Sequence, residues 1–235
     1  MKKLLATVII LIMPSSIFAL AGFGLQFGQD FSKLEGQSAT EGSGVTEVTV
    51  KSYEMDSNPV GLGGYAFIDL FGFALEAEGD FAFGEYKFDF INPAPLSDLE
   101  AVPFGWGRAS YAVTLKKNLM DISIPILAKA AINAGIGFNG HSSTPRASIS
   151  MVKELVGDNL ATLDITSPDS DLEAKLIKNL EENLTESKGL HIQTGLRFKV
   201  LMLDTHFNIR YTIAEDVYQG KKGYAQAMFK MGMAF

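Results

Sequence analysis

The stretch Leu203-Asp204-Thr205-His206-Phe207-Asn208-Ile209-Arg210-Tyr211-Thr212-Ile213 decides the fold. Its odd positions carry Leu203, Thr205, Phe207, Ile209, Tyr211 and Ile213, and its even positions Asp204, His206, Asn208, Arg210 and Thr212. Successive side chains of a strand point to opposite faces, so this is a strand with one greasy and one ionic face. The run before it obeys the same rule. Leu190, Ile192, Thr194, Leu196, Phe198 and Val200 oppose His191, Gln193, Gly195, Arg197 and Lys199. Leu201-Met202 is the short join. If that join is a hairpin tip, His206 stands opposite Arg197, His191 opposite Thr212, and Lys199 pairs with Asp204.

The pattern extends along the chain. Near the C-terminus Ala227, Phe229, Met231, Met233 and Phe235 share a face. Upstream, Ile122, Ile124, Ile126, Ala128, Ala130, Ile132, Ala134, Ile136 and Phe138 fall on one side. Phe73, Leu75, Ala77, Phe81 and Phe83 oppose Ala74, Glu76, Glu78, Asp80 and Ala82, and Phe23, Leu25 and Phe27 alternate with glycines and Gln26. The polar face is rich in Gly and Ala beside its charges. A solvated face has no need of small residues, whereas the concave wall of a narrow barrel does. The reading is an all-β, transmembrane antiparallel up-and-down barrel, with lipid outside and a crowded polar lumen inside. A secreted soluble barrel or sandwich is the alternative.

Eight strands are predicted, near 22–31, 60–70, 73–86, 104–115, 122–139, 189–200, 203–214 and 223–235. Eleven residues rise about 36 Å, or about 25 Å when tilted by about 45°, the height of a lipid-facing band. Short connections fall near 70–72, 116–121 and 201–202, and long ones at 32–59, 87–103 and 140–188. In 104–115 the parity of Phe104 and Trp106 conflicts with that of Ala109, Tyr111, Val113 and Leu115, which a bulge near Gly107 would reconcile. In 60–70 the faces of Tyr65 and Phe67 stay unassigned. Segment 45–53 either extends the sheet above the membrane or adds a hairpin and makes ten strands. Within 140–188, the helical spacing of Ile149, Val152, Leu155, Val156 and Leu163, and of Leu172, Leu176, Ile177, Leu180 and Leu184, predicts two short amphipathic helices over the barrel mouth. They form either a ligand-binding cap or a self-satisfied surface loop.

The chain has 235 residues and no cysteine, which excludes a disulfide framework and a thiolate zinc site. Its net charge of −7 argues against nucleic acid as a partner. Lys2 and Lys3 precede the apolar run Leu4–Met13, Pro14 breaks it, and Ala19-Leu20-Ala21 fits a small-x-small cleavage site. Residues 1–21 therefore read as a cleaved export signal and 22–235 as the barrel.

A signal peptide, eight alternating strands and a terminal Phe235 preceded by apolar residues at every second position resemble small bacterial outer-membrane β-barrels. The OmpA membrane domain and OmpX-like proteins are the nearest type. The resemblance implies residence in the outer membrane of a Gram-negative-type bacterium, against lipid and lipopolysaccharide. It also implies that Phe229, Met231, Met233 and Phe235 are a C-terminal signal for the barrel-assembly machinery. Methionine at position 233 departs from the tyrosine commoner there.

Three histidines test an enzymatic reading, in which a base must sit beside a nucleophile or water. His141, beside Ser142 and Ser143, is expected to be solvated at a strand end. His191 and His206 are expected inside but about 20 Å apart, too far to share a proton or a metal. No cofactor or metal site is read. The lumen is the chemically loaded place: Asp30, Glu76, Glu78, Asp80 and Asp204 are expected to meet Lys129, Arg197, Lys199, Arg210 and Lys230, with Arg108 a further candidate. Such a network is either a structural ionic plug or a gate for a small-solute or ion path. The nine acids and five bases of 140–188 suggest an acidic rim for divalent cations bridging lipopolysaccharide phosphates, or for a basic partner. Three functions follow: a non-enzymatic surface barrel, a small channel or carrier, and a membrane-embedded hydrolase.

Overall fold

Leu203–Ile213 pairs antiparallel with the preceding run, in a register that holds without a break from Val200↔Leu203 to Leu190↔Ile213. Leu201 takes a left-handed φ of 55° at the tip, the twist that a two-residue hairpin demands. The computed structural model describes residues 21–44, 47–70, 72–91, 101–124, 127–156 and 170–235, without the side chains of 156 and 170–173. The expected export signal lies outside these residues except for Ala21, which opens the first strand.

In chain order the strands are β1 (Ala21–Asp30), β2 (Gln37–Glu41), β3 (Val48–Ser52), β4 (Val60–Leu70), β5 (Phe73–Ile91), β6 (Val102–Ile124) and β7 (Ala128–Ser143). Helices α1 (Ile149–Val156) and α2 (Ser170–Glu182) follow, then β8 (Thr185–Val200), β9 (Leu203–Ile213) and β10 (Tyr224–Ala234). Eight strands form a closed antiparallel ring in the order β1, β4, β5, β6, β7, β8, β9, β10, with β10 returning to β1. The hairpin β2–β3 stands outside the ring and pairs only with the upper end of β5, Thr49 opposite Ile91 and Ser52 opposite Phe88. It extends the sheet above the band and adds no strand to the cylinder.

The faces are inverted relative to a soluble barrel. Phe207 is 49% exposed on the outer wall while Arg210, three residues on, is 4% exposed inside. Phe23, Leu25, Phe27, Ile136, Leu190 and Phe229 also face outward, and Gln26, Glu76, Asn133, Asn208 and Lys230 face inward. A soluble sandwich buries its apolar set, so that alternative fails, and the wall is one that only hydrocarbon can cover. The apolar core lies instead at the end bearing the long connections. There Leu34, Met55, Tyr86, Trp106, Met151, Val217 and Tyr218 pack with Phe104, Leu155, Leu176 and Leu180 over the mouth.

Two strand readings need correction, and a third left open is resolved. The connection expected at 116–121 does not exist: β6 runs on to Ile124, and β7 starts at Ala128 with Ile124 opposite Ala128. A three-residue connection keeps the same parity on both sides, so alternation alone passes through it unseen. Its residues Pro125 and Ile126 lie outside the described residues. Pairing of β5 with β6 is unbroken past Gly107, so no bulge stands there. Phe104 and Trp106 face inward with Arg108, because above the lumen the interior turns apolar. The register shift instead falls between Asn118 and Met120. It moves the outward set of β6 from odd (Tyr111, Leu115) to even residues (Met120, Ile122, Ile124). In β4 the odd residues Tyr65 and Phe67 point inward and Leu62, Ile68 and Leu70 outward.

Glycines make room for the inward rings. A methyl carbon on Gly22 would lie 2.5 Å from the Phe67 ring. At the β1–β10 seam Gly24 and Gly232 are opposite one another, and a methyl on Gly232 would come within 2.1 Å of the Phe23 carbonyl oxygen.

Candidate functional site

The lumen is built by period-two alternation on all eight ring strands, which sends one charged side chain inward at nearly every level. At the end with short turns, Arg197 of β8 binds Asp204 of β9. Its Nε donates to both carboxylate oxygens at 3.0 Å and its Nη2 to Oδ2 at 2.6 Å. The remaining Nη1 donates to Asp69 of β4 at 3.0 Å, and the guanidinium lies over the Phe67 ring, 4.5 Å from its centre. Asp204 is thus held by Arg197 and not by Lys199, its register partner. A forked guanidinium satisfies two carboxylates where an ammonium offers only a point charge. Lys199 is half-buried near this end, and Lys129 lies 3.8 Å from Asp121.

One level up, Glu76 and Glu78 of β5 share Lys230 of β10. Its Nζ lies 2.8 Å from Glu76 and in direct contact with Glu78. Glu76 also accepts from Lys116 of β6 at 2.5 Å, and Glu78 accepts from Arg210 at 2.6 Å. Gln193 accepts the Nε and Nη2 of Arg210 at 3.0 and 2.7 Å. Above these, Arg108 reaches Asp30 at 2.5 Å and Asp80 at 3.0 Å, and the Tyr218 hydroxyl donates to Asp30 from the mouth. Glu76, Asp204 and Lys230 are fully buried, a state that isolated charges could not bear. Opposite signs from seven of the eight ring strands therefore close the interior at three successive levels.

The histidines sit among these levels. His191 lies between the Thr114 hydroxyl at 2.8 Å and the Asn139 amide at 3.1 Å. His206 sits 3.4 Å from Asp204 and meets the rings of Tyr65 and Phe67 edge-on. His141 is not solvated, contrary to expectation. β7 continues past it to Ser143, so it is a buried strand residue with its Nδ1 2.9 Å from the Ser110 hydroxyl and its ring against Tyr224. That Ser–His contact is the arrangement a hydrolase would need. Among the described residues, however, no carboxylate bonds to the ring to orient it.

Over the mouth, α1 packs on β2–β3 through Ile149, Val48 and Val50, and Lys153 pairs with Glu41. Leu176 and Leu180 of α2 pack on the cap cluster, while Ile177 is exposed. Tyr86 stands above the apolar band, flanked on the outer wall by Glu85 and Lys87. It accepts a hydrogen bond from the Ala147 amide at 2.8 Å, and burial pushes its hydroxyl up to about 12.

No protein-family model matches this sequence, and no curated protein does. Among solved structures, the chain is similar to OprG, an outer membrane protein of Pseudomonas aeruginosa, with a TM-score of 0.45 and 10% identity over 92% of this chain and 94% of that one. It is also similar to Ail, the attachment invasion locus protein of Yersinia pestis, in complex with the heparin analogue sucrose octasulfate (0.41, 13%, over 92% and 97%). A third likeness is the N-terminal β-barrel domain of Pseudomonas aeruginosa OprF (0.35, 11%, over 93% and 99%). The closed ring of eight strands, apolar outside and ionic inside, stands on this chain's own geometry. It has the architecture of a small outer-membrane β-barrel.

Sequence reasoning did not single out Lys116, Asp69 or Tyr218. Lys116 falls in the connection expected at 116–121, and Tyr218 lies in the connection before β10. Asp69 shares its parity with Tyr65 and Phe67, whose faces were unassigned. Once Phe67 is known to point inward, Asp69 follows.

Proposed function

We propose that the chain is an exported, non-enzymatic outer-membrane barrel whose lumen is an ionic plug and whose working surface is the cap at the loop end. In this reading residues 1–21 are removed on export, and Phe229, Met231, Met233 and Phe235 are read by the barrel-assembly machinery. The mouth carrying α1, α2 and β2–β3 faces the outside, where it engages a partner or the outer leaflet. One observation carries the reading: Lys116, Glu76, Lys230, Glu78, Arg210 and Gln193 form a continuous bonded chain across the interior. An eight-stranded interior is about filled by its side chains, and a path through it would require breaking several buried pairs at once.

Planar-bilayer recording of the refolded chain tests it. Silence is expected from the wild-type protein, with current steps appearing only in Glu76→Ala or Arg197→Ala. Steady unitary currents from the wild type would favour the channel or carrier reading instead. Ester hydrolysis that depends on Ser110 and His141 would favour the hydrolase.

A further inference from the structure

The cap holds a cation that the described residues leave without an acidic partner. Arg146 follows β7 and is 8% exposed, yet among the described residues its Nη1 donates to the Gln37 side-chain oxygen at 3.2 Å and its Nε finds no acceptor. Among the described residues no carboxylate lies within ion-pair distance of it. Glu35, a described acid whose charge reaches it, is engaged with Lys221 at 3.2 Å. A buried guanidinium without a counter-ion is costly, and burial accordingly weakens its hold on its proton. The segment is nonetheless fixed. Thr144 and Gly107 exchange bonds of 2.9 and 3.0 Å on one side of it, and Ala147 donates to Tyr86 on the other. The backbone that carries Arg146 is therefore held on both sides.

Arg146 lines a cavity of about 260 Å³ together with Gln37, Ser52, Ser148 and Gln219. Gln37, Ser148 and Gln219 can each donate a hydrogen bond into it, the Ser52 hydroxyl already donating to the Gln37 carbonyl oxygen at 3.3 Å, and among the described residues no acid lines the space. Ser148 caps α1, its hydroxyl accepting from the Met151 amide at 3.2 Å, so the positive end of that helix also meets the cavity.

We propose that this cavity binds a tetrahedral oxyanion, a sulfate or phosphate group, either free or carried as a monoester on a surface sugar. Arg146 supplies the charge, while Gln37 and Ser148 supply neutral donors. The cavity is too small for an extended ligand, so a carrier would lie outside it. The proposal rests on the preceding reading only in placing the cap outside the cell. A barrel that conducts would overturn that reading and leave the anion site standing.

Isothermal titration of the full refolded chain in detergent micelles, with inorganic sulfate, inorganic phosphate and glucosamine 6-sulfate at matched ionic strength, tests it. Saturable binding is expected, weakened roughly tenfold or more in Arg146→Met, the size of one lost charge-assisted bond. Arg146→Lys should lose less, and Lys222→Met, an exposed charge outside the cavity, should bind as the wild type does. Folding of each variant is read from heat-modifiable gel migration. Because Arg146→Met removes an unpaired buried charge, it should unfold at a higher temperature than the wild type without anion, and sulfate should then give it no further gain. Tighter binding of the sulfated sugar than of sulfate would assign a carrier-borne group, and equal binding a free anion. An absence of saturable binding, binding unchanged in Arg146→Met, or an equal loss in Lys222→Met would overturn the site.

Discussion

At the scale of single residues, the lumen is governed by what happens when one member of a buried pair is lost. Arg197 holds both Asp204 and Asp69, so Arg197→Met strands a fully buried carboxylate. The expected cost is about 3–5 kcal/mol, measured by urea unfolding in micelles. Asp204→Asn added to Arg197→Met should recover much of it, since the orphaned charge disappears. Tyr86 gives a second handle, on the cap. Its folded proton affinity is raised from 10.0 to about 12, so its contribution is fully present below pH 10 and is lost as pH rises through about 12. Unfolding midpoints measured across that window should fall less steeply in Tyr86→Phe than in the wild type.

For the strands, the decisive variable is which wall a position faces and at what height. Phe207, midway along β9 on the outer wall, should not tolerate a charge: Phe207→Lys is expected to cost about 2–4 kcal/mol. Glu85→Lys, above the band on the same wall, should cost close to nothing. Refolding yields into vesicles compare the two. Strand identity was legible because alternation is strict wherever hydrocarbon lies on one side and ions on the other, as in β8, β9 and β10. It failed where that contrast fails. The connection after Ile124 preserves parity, and the shift between Asn118 and Met120 reverses it, so the two features together disguised the end of β6. In β4 the faces stay open in the sequence because Tyr65 and Phe67 conflict in parity with Leu62, Ala66 and Ile68; the Phe67 ring fills space left by Gly22. Of the lumen, the hairpin arithmetic placed His206 beside Arg197. It could not foresee that Arg197 would displace Lys199 from Asp204, because that choice depends on Asp69 from the far side of the ring.

Across the whole molecule, the ordinary division of labour is reversed: ions occupy the middle and an apolar cluster seals the top. The first and last ring strands meet at the seam of β1 and β10, where Phe23 and Phe235 rings pack 6.2 Å apart and Ala21 and Phe235 exchange backbone bonds. Gly232→Val should prevent that meeting, because its side chain would strike the β1 backbone. The expected result is loss of the heat-modifiable band with the full-length chain still present on gels. The seam also fixes an order of events. Every other pair of ring neighbours is joined directly or through the β2–β3 hairpin or the two helices, but this contact joins the first strand to the last. The cylinder therefore cannot be completed piecemeal as the polypeptide is delivered. Its opening edge must be sheltered from hydrocarbon, by another protein or by water, until the final segment arrives to zip it shut.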